Sequence, residues 1–185
     1  MALAKDTSAL ETRSAYPSRE RRSQARWRVP IADLYTSPTY WSSGSHTKRA
    51  TPEAEGYHRQ AVEALEFILA CSPLSREEQN RRFAEFKWQE RYRNQELGAD
   101  YRESLGHSTA KRPFLTRKGY VGIASGETKA GDVVVVFCGG RIPFVLRPLP
   151  GQMEDQFAFI GEAYCDGIMD GEYAEEGALQ DLFLV

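Results

Sequence analysis

Cysteine is scarce in this sequence: Cys71, Cys138 and Cys165 lie far apart, each in an apolar stretch, in a chain of 185 residues. An odd, sparse count argues against a disulfide framework and fits a reducing compartment, where free thiols pack as small hydrophobes. No apolar run approaches the roughly 18 residues of a membrane span. The first ten residues lack the basic-then-apolar layout of a secretory signal, so an intracellular, cytoplasmic protein is expected. Histidine is equally thin. His46, His58 and His107 are isolated, and none has a cysteine or acidic neighbour at metal-ligand spacing. A Gly-x-Ser-x-Gly elbow and a Gly-to-Gly-Lys-Ser/Thr phosphate loop are both missing, although Gly126–Gly131 has a superficial likeness to the latter. No residue is therefore assigned a catalytic, cofactor or metal role, and a non-enzymatic protein is expected.

What is present is unevenly charged. Residues 1–28 carry seven Lys/Arg against three Asp/Glu, and residues 111–185 carry seven against eleven. A basic arm at Arg19–Arg28 raises the alternative of a small nucleic-acid-binding barrel touching phosphate. A solvated tail is the plainer reading.

Residues 1–50 show little periodicity, and the polar run 18–22 reads as disorder or loop. Within this arm Trp27, Val29, Ile31, Leu34, Tyr35, Tyr40 and Trp41 are too apolar for a free linker. Trp27, Tyr35, Tyr40 and Trp41 are candidate contacts for a protein partner or an absent domain. In the second segment, 51–110, a helix is expected over 52–71, with Tyr57, Ala61, Leu65, Ile68 and Leu69 as its apolar stripe. Ser75-Arg76-Glu77-Glu78 has the form of a capping box and opens a second, long helix to about Leu105.

The third segment, 111–185, changes character. Short apolar runs divided by turn residues predict strands over 113–116, 120–124, 133–138, 142–147, 157–165 and 182–185. The unbroken run Val133–Phe137 predicts a strand covered on both faces. Phe157, Phe159, Gly161, Ala163 and Cys165 are expected on one face of the fifth strand. Gly139-Gly140 suggests a tight hairpin. The fold class expected is α+β: a small antiparallel β-barrel at the C-terminus, preceded by two helices and an irregular N-terminal arm.

The residues Arg112-Pro113-Phe114-Leu115-Thr116-Arg117-Lys118-Gly119-Tyr120-Val121-Gly122-Ile123 and Ala130-Gly131-Asp132-Val133-Val134 form an ordered set of motifs. They continue through Gly139–Pro148 and Phe159–Glu172. Together they resemble the C-terminal region of fungal heterokaryon-incompatibility (HET domain) proteins. The resemblance implies a link to non-self recognition through an accessory interaction module, and it carries no catalytic assignment. No hallmark of the HET domain itself is found between Met1 and Arg112, so the expected correspondence is to that C-terminal region without the HET domain.

Inside these motifs, Gly119, Tyr120, Gly122, Gly131, Asp132, Arg147, Glu162, Gly167, Asp170 and Gly171 are read as structural. The glycines supply turn geometry, and Asp132 can bond its own turn backbone. Glu162 sits mid-strand, and an ion pair with Arg147 would accommodate it. Asp166, Asp170 and Glu172 invite comparison with a calcium loop. Position three is Ile168 and position twelve is Gly177, so two oxygen ligands are missing.

Overall fold

The computed structural model describes residues 15–35, 48–94, 96–149, 156–171 and 179–185. The chain divides into two compact units: Met1–Ala32 with Ser108–Val185, and Asp33–His107. Among the described residues no helix is long and apolar enough to cross a membrane.

Among the described residues the first unit opens with α1, Arg19–Arg28, which overturns the expectation of disorder at 18–22. Ser18 starts it by accepting the Arg21 N–H on its hydroxyl. A 3₁₀ turn at Val29–Ile31 follows. Polar as the segment is, Ala25, Trp27, Val29 and Ile31 are buried, and they suffice to hold it down. Ala25 and Val29 join Tyr16, Val121, Ile123 and Tyr164 in one apolar cluster, so α1 covers part of one sheet face.

That sheet consists of β3 Lys111–Leu115, β4 Val121–Ser125, β5 Val133–Val136, β6 Pro143–Pro148, β7 Gln156–Cys165 and β8 Phe183–Leu184. All six predicted strands are present, and the α+β class holds. The path runs β3-β4-β7-β6-β5, antiparallel throughout, with β8 parallel beside the start of β7. Among the described residues no ladder joins β3 to β5, so hydrogen bonding does not close the sheet into a ring. The opposite face gathers Ala124, Val145 and Ala163, with Phe114, Val134 and Ile160 against them.

Two expectations fail here for one reason each. β5 is a sheet edge, pairing only with β6 among the described residues, so its valines are half-buried rather than covered on both faces. β7 carries a bulge: Val145 lies opposite Gly161 and Leu146 opposite Phe159, which skips Ile160. The extra residue shifts the alternation, so Phe159 is half exposed while Ala163 and Cys165 are buried. The Gly139-Gly140 turn is also longer than a tight hairpin, since Val136 pairs with Pro143 across residues 137–142.

Among the described residues the second unit holds a two-stranded ribbon, β1 Leu34–Tyr35 and β2 Lys48–Arg49, and four helices. The expected helix is α2, Glu53–Cys71, but its buried side is Ala54, Ala61, Ala64 and Cys71. Of the predicted stripe only Ala61 is buried, and Leu65, Ile68 and Leu69 face solvent. Small residues win because α5, Ala99–Gly106, packs on α2. Gly98 precedes α5 at φ 59°, donates its N–H to Gln60 Oε1 at 3.1 Å, and lies so close to the Tyr57 carbonyl that a Cβ would collide.

The long second helix is instead three. α3 spans Arg76–Glu85 and is capped by Ser75 as expected; α4 spans Trp88–Arg93 and α5 follows. The breaks fall at Lys87, φ 52°, and Gly98. In one continuous helix Trp88 would point well away from Phe83. The break lets Phe83, Phe86 and Trp88 all meet Phe67, with ring centroids at 5.1, 4.1 and 5.8 Å.

Candidate functional site

Asp166 sits at the end of β7, where its N–H reaches the Val121 carbonyl at 2.9 Å. Its side chain is 1% exposed, a burial that an ionised carboxylate tolerates only with partners. Arg21 supplies them, donating Nη1 to Oδ2 at 2.7 Å and Nη2 to Oδ1 at 3.0 Å. The Tyr164 hydroxyl donates to Oδ1 at 2.8 Å. Tyr16 completes the arrangement. Its hydroxyl donates to the Asp166 carbonyl and accepts the Val121 N–H, both at 3.3 Å.

The electrostatics follow from this burial. Desolvation, with Asp166 nearby, holds the Tyr16 hydroxyl protonated well above the ordinary tyrosine range. Burial, and then Asp166, push the Cys165 thiol up to about 12, so it is inert as a nucleophile. The hydrogen bond to Asp166 raises the Arg21 guanidinium further. Asp166 is thus consumed by Arg21 and Tyr164, and the calcium-loop comparison lapses with it. This arrangement fastens α1 to the sheet.

A second ion pair stands where the sequence suggested another. Arg147 does not reach Glu162, which is exposed and opposite Phe144. It forks onto Asp132 instead, Nε to Oδ1 at 2.8 Å and Nη2 to Oδ2 at 3.0 Å, and Nη2 also meets the Glu127 carbonyl. Asp132 Oδ2 accepts the Lys129 N–H at 2.7 Å. The turn 127–132 is therefore clamped to β6, and the Arg147 hydrogen bond keeps the Asp132 carboxyl below its ordinary range.

Beside these engaged polar groups the unit carries a partly open apolar patch. Phe144 lies between Phe137 and Phe159, with centroids at 5.2 and 5.7 Å. Phe159 is 50% exposed and Val136 on the edge strand 40%. Phe183, Leu184 and Val185 are exposed beside the start of β7, where the Val185 N–H bonds the Phe157 carbonyl. Clustered exposed aromatics are the usual mark of a contact surface.

The candidate partner contacts read from sequence lie elsewhere. Trp27 is 3% exposed, which leaves no surface for a partner. Tyr35 stacks on Tyr57 at 5.8 Å and donates its hydroxyl to Asp100 Oδ2. Tyr40 and Trp41 lie outside the described residues. Gly119, Gly131, Gly167 and Gly171 all have positive φ. Gly122 is different: a Cβ there would strike the Phe114 ring and the Tyr164 carbonyl. Tyr120 packs edge-on to Tyr16 at 6.2 Å, and Asp170 is exposed. Cys138 is exposed, unlike Cys71 and Cys165. Arg21, Tyr16, Tyr164, Phe144 and Phe159 do not stand out in the sequence as a site. The signal available is a basic helix start and an Asp-Gly turn, each ordinary by itself.

The family model of the Het-6 beta-barrel domain matches residues 1–185. Heterokaryon incompatibility protein 6, OR allele, of Neurospora crassa is 35% identical over a 179-residue alignment that covers 92% of this chain and 25% of that protein. The chain thus spans about a quarter of the length of the curated relative it matches. No solved structure matches.

Proposed function

This chain belongs to the Het-6 β-barrel domain family, and from that premise we propose that it is a non-enzymatic interaction module related to heterokaryon incompatibility. It works by presenting a surface to another protein region, in a partner or in a longer form of the same protein. The observation that carries this reading is the aromatic row Phe137–Phe144–Phe159, partly buried at its first two rings and exposed at Phe159, on a sheet whose buried carboxylates are already engaged. An intracellular setting belongs to the same proposal, since all three cysteines are unpaired thiols.

A nucleic-acid role for the Arg19–Arg28 segment has less support. Arg21 is held by Asp166, and the Arg28 guanidinium lies 4.9 Å from the Trp27 ring centre.

The test uses the full chain with a photo-crosslinking residue at position 159 or, as control, at exposed Lys129, expressed in a fungal cell. A discrete protein adduct at 159 that is absent at 129 and lost with Phe144→Ser supports the surface. Equal, diffuse labelling at both positions would remove it.

A further inference from the structure

A cleft of about 710 Å³ lies within the second unit, between α3 and α4, and its volume falls in the range of ligand-binding sites. One face of α3 forms a wall: Arg76, Gln79, Asn80 and Phe83 recur at helical spacing along it, and Lys87 follows at the break. Three carboxylates occur in α3, at Glu77, Glu78 and Glu85, and none lines the cleft. Glu78 is taken by Arg81 and Arg82 instead. The interleaved charges of the sequence are therefore sorted by the fold. Within the cleft Arg76, Lys87 and Arg93 face one carboxylate, Glu90, which stands 4.0 Å from the Lys87 ammonium.

The floor is apolar. Phe83 and Trp88 meet edge-to-face at 5.2 Å. Lys87 holds a left-handed backbone, φ 52° and ψ 39°, a conformation disfavoured for a residue with a Cβ. That conformation turns α3 into α4 and brings Trp88 to the cleft.

We propose that this cleft binds an acidic peptide segment carrying an aromatic or large aliphatic side chain. The cations meet carboxylates, and Phe83 with Trp88 takes the apolar side chain. Asn80 and Gln89 each offer a donor and an acceptor, which suits a peptide backbone that presents both, while the Gln79 amide already donates to the Leu74 carbonyl. A phosphodiester backbone presents acceptors alone and would leave the side-chain amide acceptors of the cleft without a donor. The inference rests on the reading of the chain as a contact module and assigns a partner chemistry to a second surface of it.

Fluorescence anisotropy with a short labelled peptide, glutamates around one phenylalanine, tests it on the full chain. Expected is binding that weakens with salt, and a loss on the order of tenfold or more in Arg76→Glu/Arg93→Glu. The same variant, checked for an unchanged melt, should gain affinity for the matching lysine–phenylalanine peptide. Equal binding by variant and wild type, no binding at low salt, or preference for a single-stranded oligonucleotide would each overturn the assignment. None of those results touches the crosslinking outcome at position 159, so the two readings fail separately.

Discussion

Arg21 and Asp166, 145 residues apart in the chain, meet through two parallel hydrogen bonds at 2.7 and 3.0 Å. The carboxylate is almost fully buried and the guanidinium about one quarter exposed. One bond pair thus makes the N-terminal helix part of the C-terminal sheet.

Removing the charge of Asp166 leaves Arg21 pressed against a site built for an anion. Asp166→Asn should lower the unfolding free energy by about 3–5 kcal/mol, measured by urea titration. Arg21→Gln combined with it should recover part of the loss, because the stranded charge is then gone. A change below about 0.5 kcal/mol would show that the pair contributes nothing.

Acid should act through Asp132. Its carboxyl is held below the ordinary aspartate value, near 4, by the Arg147 hydrogen bond. A depressed folded value means the stabilisation is complete above the unfolded value and disappears as pH falls through the folded one. The urea midpoints of wild type and Asp132→Asn should therefore differ at neutral pH, begin to converge near pH 4 and meet only below the depressed folded value. A gap that persists in acid would point to packing rather than charge.

The thiols should separate by access. Cys138 is exposed, Cys71 and Cys165 are buried, and Cys165 is pushed up to about 12 by its surroundings. An aromatic disulfide reagent should modify Cys138 in the native protein and the other two only on unfolding. Early loss of the Cys165 thiol, followed by peptide mapping, would contradict the closed end of β7.

Two glycines offer a paired comparison. Gly122→Ala should destabilise by about 1–3 kcal/mol or more, because the new methyl meets the Phe114 ring and a β7 backbone carbonyl. Gly171, at φ 89°, has nothing within 4 Å of the position a methyl would take, so Gly171→Ala costs only backbone strain, about 1 kcal/mol. Thermal melts of both variants give the order, and equal shifts would remove the steric account of Gly122.

The strands were legible because each is a short apolar run bounded by turn residues, a local pattern that survives whatever packs on it. α2 was legible as a helix but not as to its face. Leu65, Ile68 and Leu69 have the greater hydrophobicity, yet Ala61 and Ala64 allow α5 to approach, and close backbone approach decided the matter. The split of residues 76–106 into three helices was hidden because Lys87 takes a backbone conformation that sequence associates with glycine. The ion pairs were the least legible. Arg147 had a plausible partner in Glu162, but Asp132 already stands at the β5 start opposite it. Asp166 carried no sign of Arg21, since nothing local links residues so far apart.

The fastening of α1 by Asp166 sets a schedule on the ribosome. The helix is made before the sheet, and its charge partner follows 145 residues later. At about 5–20 residues per second the basic helix waits roughly 7–30 s for that carboxylate. During this interval Ala25 and Val29 have no sheet to lie on, so the nascent helix is exposed to chaperones and to wrong neighbours until the end of β7 has been made.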